Sequence, residues 1–310
     1  MIKFLKDNDG ALPVISILLL LIYSISSVIV RGLPNYHVLL VTDLVGWSAW
    51  LLFIVNLVFV FGFLFFFNRL VQQQHLMPRI SNMPMIMGLL GYFALPSSLD
   101  HPFVWIALGL VLLSLSSCYS LMIGDSPKQS SFWSGFALGS GAWLYSPMLF
   151  FSPMIIQAGF SSGTLNLRRL LIHIIGFSLP TYLILTCWFI IKSDLIFPIW
   201  FTKDWEMIDL SKLDYFFIGH VLFAFVFLFV STSISLKSCT IREKRKYYLV
   251  VSMLFFAVIA SLFNDAEIWF SLSLIPLSLF LSRIFQFLEN RWIREMIFLC
   301  YLLLIVGLNI

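Results

Sequence analysis

Asp43 is the first side chain whose type and place suggest chemistry. It lies in RGLPNYHVLLVTDLVGWSAW, residues 31–50, between two long apolar runs, with Arg31 and His37 shortly upstream. A carboxylate at a membrane edge costs free energy unless it is hydrated or paired. Arg31, His37 or a metal ion could supply the pairing. A second feature is Tyr145-Ser146-Pro147. It interrupts SFWSGFALGSGAWLYSPMLFFSPMIIQAGF, residues 131–160, an apolar stretch with four glycines and two prolines. The other reactive residue types form no centre. Cys118, Cys187, Cys239 and Cys300 are far apart and make no C-x-x-C pair, so they read as packing residues. The five histidines give no H-x-x-H or H-E-x-x-H pattern, and no zinc or redox site is indicated. The chain has no G-x-x-x-x-G-K, no dinucleotide fingerprint after a strand and no G-x-S-x-G.

The elements that must position these residues are membrane helices. The chain is 60% hydrophobic and 11% charged, with 33 phenylalanines in 310 residues, more apolar surface than a soluble domain of this length can hide. The runs are continuous rather than alternating, which predicts an all-α polytopic transmembrane bundle instead of a barrel. One membrane-embedded domain over 1–310 is expected. Spans are expected near 13–30, 48–67, 82–97, 102–123, 131–160, 169–191, 215–236, 248–263, 268–283 and 296–310. The run from Val14 to Val30 has no small-residue cleavage site after it and reads as an uncleaved first span.

Basic loops set the topology. KSCTIREKRKYY carries Lys237, Arg242, Lys244, Arg245 and Lys246, and RIFQFLENRWIRE carries Arg283, Arg291 and Arg294. GTLNLRR, FNRLVQQQHLMPR and GDSPKQS add Arg168, Arg169, Arg69, Arg79 and Lys128. If 131–160 were one kinked helix, Lys128 and Arg168 would face opposite sides. If it is a hairpin of two half-length helices turning at Tyr145-Ser146-Pro147, all the basic loops share one side, and the bundle has ten to eleven helices. The basic pattern favours the hairpin, because proline cannot continue the helical ladder. The amino terminus is then cytoplasmic and Ile310 external. The external segments carry Asp43, Asp100, Asp194, Asp204, Glu206, Asp209, Asp214, Asp265 and Glu267. FPIWFTKDWEMIDLSKLDYF reads as an aromatic anchor in the outer interface. Buried charge is expected to be almost absent, with Asn56, Gln157 and His173 as the main intramembrane polar groups. Gly135-Gly139 and Gly88-Gly91 offer close helix packing.

Two resemblances add to this reading. MIKFLKDNDGALPVISILLLL, FNRLVQQQHLMPRISNMPMIMGLLGYFALPSS, SGFALGSGAWLYSPMLFFSPM with NLRRLLIHIIGFSLPTYLI, and the tail RKYYLVVSMLFFAVIASLF, LIPLSLFL and RWIREMIFLCYLLLIVGLN together resemble an uncharacterised multipass inner-membrane family of Gram-negative bacteria, a domain of unknown function. That resemblance implies a bacterial inner-membrane location and brings no activity. The layout of a first span, an acid-bearing external loop and a later hairpin with a tyrosine-serine-proline break resembles the C-type glycosyltransferase superfamily. That likeness implies polyprenyl-phosphate-linked sugars as substrates, Asp43 as the catalytic base or a metal-side acid, and Arg31, His37 and Tyr145 as substrate-binding residues. The chain lacks the adjacent acidic pair and the large external domain found in part of that superfamily.

Three functions follow as expectations. A lipid-linked sugar transferase would use a carboxylate to take a proton from an acceptor hydroxyl as the sugar–phosphate bond breaks. A non-catalytic subunit or scaffold of a cell-envelope export or assembly complex would need a membrane-protein partner. A lipid or small-molecule transporter would show internal repeats and intramembrane charge, and no convincing repeat is seen. The expected partners are the bilayer, a polyprenyl-phosphate lipid and another membrane protein. Nucleic acid is not expected.

Overall fold

The structure, a computed structural model, describes residues 11–31, 49–77, 81–95, 102–124, 126–192, 215–235, 240–263, 267–288 and 290–309. These form eleven α-helices, with no strand among the described residues. In chain order they are α1 (Leu12–Arg31), α2 (Ala49–Gln73), α3 (Met83–Phe93), α4 (Pro102–Ile123), α5 (Pro127–Leu144), α6 (Met154–Ser162), α7 (Leu167–Lys192), α8 (Tyr215–Ser235), α9 (Ile241–Leu262), α10 (Ile268–Phe287) and α11 (Arg291–Asn309). Five of them, α2, α4, α7, α9 and α10, are long and apolar enough to cross a membrane. The protein is an all-α membrane bundle.

Residues 131–160 are not one helix. α5 stops at Leu144, where Tyr145 turns extended (φ −151°, ψ 100°). Pro147 has no N–H to carry a ladder onward, and Ser146–Phe151 tightens into a 3-10 helix. The short α6 follows and ends at Gly163, whose φ of +67° suits a residue without Cβ. Thr164 and Leu165 both donate their N–H to the Gly159 carbonyl there, at 3.0 and 3.1 Å. Asn166 then caps α7 by accepting from the Arg169 N–H at 2.9 Å.

This path returns the chain to its starting side, so α5 and α7 run parallel. The proof is a ladder of contacts. His173 Nδ1 meets the Ser131 carbonyl at 3.3 Å, and eight to twelve residues further along both helices Trp143 Nε1 donates to Thr181 Oγ1 at 3.0 Å. Between those points the backbones touch. A Cβ on Gly135 would strike the His173 carbonyl, one on Gly139 the Phe177 carbonyl, and one on Gly176 the Phe132 carbonyl. Lys128 and Arg168 therefore lie at one end of the bundle, as the hairpin expectation required. With Lys128 or Arg168 replaced by cysteine, in a background lacking Cys118, Cys187, Cys239 and Cys300, both sites should react with an impermeant thiol reagent from the same side of the membrane. Labelling from opposite sides would rule out the hairpin.

The remaining directions follow from side-chain bonds. Ser114 Oγ lies 2.9 Å from Ser134 Oγ while Gly141, further along α5, faces the Ala107 carbonyl, earlier in α4, which makes α4 antiparallel to α5. Tyr145 Oη lies 2.9 Å from Ser271 Oγ, so α10 starts where α5 ends. α10 is the central helix, with every residue from Ile268 to Phe285 buried. Arg283, near its far end, bonds the turn after α2, so α2 runs parallel to α10 and begins at the Tyr145 end. Arg69, Lys128, Arg168, Arg169, Arg242, Lys244, Arg245, Lys246, Arg283, Arg291 and Arg294 all fall at the opposite end. Of the cations in the described helices, only Arg31 and Lys192 stand apart from that group.

Several helix limits differ from the expected spans. The basic run 242–246 is not loop but the first turns of α9. Thr240 accepts from the Glu243 N–H, and the Glu243 carboxylate accepts from the Thr240 N–H at 2.7 Å, a reciprocal cap that starts the helix ahead of its apolar residues. α2 and α10 likewise continue past their apolar runs, to Gln73 and Phe287. The expected interfacial segment lies almost wholly outside the described residues.

Candidate functional site

Tyr145 is the one sequence-predicted site residue whose side chain is described. It caps α5, and its hydroxyl is tied to Ser271 in the first turn of α10. The tip beside it is shielded by protein, since Pro147, Met148 and Phe151 are buried and Phe150 stacks on Phe263 with ring centroids 6.2 Å apart. Shielding is what non-helical backbone inside a membrane requires. Arg31 is the last residue of α1 and its side chain lies outside the described set, as do His37 and Asp43 entirely. The structure thus brings Tyr145 together with Ser271, and the helix that follows Asp43 starts at this same end.

Two residues before Ser271, Trp269 Nε1 donates to His220 Nδ1 at 2.9 Å, which places the His220 proton on Nε2. Phe270 and Tyr301 pack around that imidazole at 5.0 and 6.2 Å between ring centroids. The pair ties α8 to α10 in an aromatic layer. His173 and Gln157 play similar parts. His173 lies against α5, while Gln157 donates to the Tyr248 carbonyl at 3.2 Å and accepts from Ser252. Asn56 is buried in α2. Cys118 is a packing residue, its Sγ 3.4 Å from Ser134 Oγ. Among the described residues no three His, Cys, Asp or Glu side chains converge as metal ligands would.

The expectation that buried charge is almost absent is wrong. Arg283 is 2% exposed and Lys246 6%. Both are drawn inward by the end of α2. His75 sits there in the left-handed region (φ 52°), with Leu76 N–H bonded to the Val71 carbonyl and His75 N–H to the Gln72 carbonyl. This turn reverses the chain and directs the Gln74 and Leu76 carbonyls inward. Arg283 Nη1 donates to the Leu76 carbonyl at 2.8 Å, and Lys246 Nζ donates to both the Gln74 carbonyl and Gln74 Oε1 at 3.0 Å. The Arg283 guanidinium also lies 4.6 Å from the Tyr247 ring centroid, and Lys246 Nζ lies 5.6 Å from that of Tyr119. Beside them, Asn68 Nδ2 donates to Asn82 Oδ1 at 2.6 Å and Gln72 Nε2 to the same oxygen at 3.2 Å. A signal for Lys246 was present in the sequence. Val250, Met253, Ala257 and Ala260 form a buried stripe at helical spacing, and one turn back it reaches Lys246.

Comparison of the chain with family models, with curated proteins and with solved structures returns no match.

Proposed function

We propose that the protein resides in a bacterial cytoplasmic membrane, basic end and amino terminus inward, and engages a polyprenyl-phosphate-linked sugar at the outer leaflet. The observation that supports this reading is the hairpin. Its break at Tyr145 lies at the end away from the basic residues, where α2, the helix following the Asp43 segment, begins. That layout is the one in which the chain resembles the C-type glycosyltransferases. Positive residues are retained on the cytoplasmic side of such membranes, and the clustering of cations at one end supports this orientation. In this reading Asp43 takes the proton of an acceptor hydroxyl, and Arg31 and His37 balance the phosphate.

Mass spectrometry of the protein purified in mild detergent tests it. A co-purifying polyprenyl phosphate or its sugar conjugate is expected, together with at least a hundredfold loss of transfer in Asp43→Asn, the size of a general-base contribution, roughly 10²–10⁴. Full transfer by Asp43→Asn would remove the assignment. The second reading is a non-catalytic subunit of an envelope complex. It is favoured by the use of the Tyr145 hydroxyl as a tie to Ser271, a role in holding helices together. A stoichiometric membrane-protein partner, with no special lipid, would select it.

A further inference from the structure

The helices do not all end at one height on the side of Tyr145. Side-chain contacts fix a common level, and a rise of about 1.5 Å per residue measures the distance from it. α5 stops at Leu144, and Tyr145 meets Ser271 in the first turn of α10. Gly91 packs on Leu274, and Gly141 faces the Ala107 carbonyl, which brings the end of α3 and the start of α4 to the same level. Phe263, just past α9, stacks on Phe150 beside the tip. The ends of α3, α4, α5, α9 and α10 thus lie together.

Four outer helices run past them. Phe177 on α7 lies against Gly139, so α7 passes the level of Tyr145 near Leu183 and continues to Lys192, about 13 Å higher. Leu64 on α2 lies against Gly88, which also faces Ser278. The level of Ser271 then falls near Leu57, and α2 begins at Ala49, about 12 Å above it. Tyr23 packs on Tyr92 and Phe93, and α1 continues to Arg31, about 12 Å higher. Tyr301 packs on His220, the partner of Trp269, and α11 continues to Asn309, again about 12 Å higher. A floor of five helix ends is sunk below a wall of four helices, and no described element crosses it. Segments 32–48 and 193–214, which join wall helices to their neighbours, lie outside the described residues.

Such a floor must be wet. A helix end leaves up to about four backbone groups without an intrahelical partner, and hydrocarbon supplies none. α10 opens at Glu267 with no side-chain cap, and Glu267 is exposed. A carboxylate at that depth has to be hydrated or paired. Tyr145 and Ser146 are half-buried beside it. The chain that links the floor helices, 94–101 and 263–267, holds Asp100, Asp265 and Glu267 and no lysine or arginine. Arg31 and Lys192 stand instead at the top of the wall, as the last residues of α1 and α7. The wall is missing at α9, which ends at the floor and exposes Phe255 and Ile259 below it.

We propose that this recess is a water-filled well in the leaflet on the side of Tyr145, and that it receives the hydroxylated head of a lipid. The floor offers hydroxyls and a carboxylate, which suit sugar hydroxyls and repel phosphate. The phosphate stays at the top of the wall, where the cations are, and the lipid chain leaves over α9 onto Phe255 and Ile259. The well follows from the helix ends alone. Its occupant rests on the function proposed above.

The test is thiol labelling of the full chain in phosphatidylcholine nanodiscs, in a background lacking the native cysteines. Single cysteines are placed on the floor by Ser146→Cys or Glu267→Cys, and on the outward side of α7 at the same level by Tyr182→Cys, a position 65% exposed. A charged methanethiosulfonate should label both floor sites at least about tenfold faster than the α7 site, because only a hydrated thiol ionises. Floor sites as slow as Tyr182→Cys would overturn the well, whether or not a polyprenyl lipid co-purifies. Octyl glucoside below its micellar concentration should slow labelling of Ser146→Cys, and octyl phosphate should slow it less. No protection by the glucoside, or stronger protection by the phosphate, would overturn the hydroxylated head as occupant. Fast, glucoside-protected labelling in a protein that carries no polyprenyl lipid would uphold the well and its fit to sugar, and remove the function proposed above.

Discussion

Replacing Gly139 with leucine should detach α7 from the bundle. The helix packs on α5 along a track where main chains meet, and a Cβ at Gly139 would run into the carbonyl and Cα of Phe177. Backbone cannot step aside as a flexible side chain can, so the helices must separate along the whole Gly135–Gly139 face. The apolar remainder of α7 gives little resistance, because among its described side chains only His173, Gly176 and Pro180 are buried inside the protein. The substitution should cost at least the upper part of the usual overpacking range, roughly 1–3 kcal/mol. Separation would also break the Trp143–Thr181 bond, adding about 1 kcal/mol. Gly109→Ala is the control. It lies mid-helix in α4 with open space around an added Cβ, and should gain up to about 1 kcal/mol from helix propensity. Thermal unfolding in detergent reads both variants, and equal midpoints would refute the close-packed α5–α7 pair.

That pair shows how far the sequence reached. Pro147 and the shared charge of the loops around Lys128 and Arg168 were enough to expect a return of the chain at Tyr145, because a proline break and the distribution of cations are both local signals. The parallel course of α5 and α7 follows once the hairpin exists. The position of α10 at the centre was not legible, since a helix that is apolar all round looks the same whether lipid or protein surrounds it. The buried cations were missed for a different reason. Lys246 stands in a run of basic residues and Arg283 was grouped into one loop with Arg291 and Arg294, and a reading that treats cations as markers of loops has no means of separating the two that turn inward. Helical phase, followed back along the Lys246, Val250, Met253 stripe, does separate one of them. Of the candidate site, Tyr145 was placed correctly at a helix break, and its bond to Ser271 was not foreseeable because it joins residues more than a hundred positions apart.

Reversing the charge at Arg283 should have the second large effect. The guanidinium faces the Leu76 carbonyl at the negative end of α2 and the face of Tyr247, surroundings that favour a cation on both sides. Arg283→Met keeps most of the volume and removes the charge. It gives up the bond to Leu76 and the ring contact, losses of about 1–3 and up to about 2 kcal/mol, and it recovers the cost of burying an ion. The net change is a moderate loss, on the order of 1–2 kcal/mol. Arg283→Glu recovers nothing. It places a carboxylate 2% exposed against a carbonyl oxygen and an aromatic face, where it must be neutralised by a proton or leave the interior. The expected order of unfolding midpoints is wild type, then Arg283→Met, then Arg283→Glu, with the last losing several kcal/mol in line with unpaired buried charge. A Glu variant as stable as the Met variant would mean that the guanidinium does not hold the α2 turn. A Met variant more stable than wild type would mean that the ion's desolvation outweighs its bonds, so the residue is kept for its charge and not for the stability of the bundle.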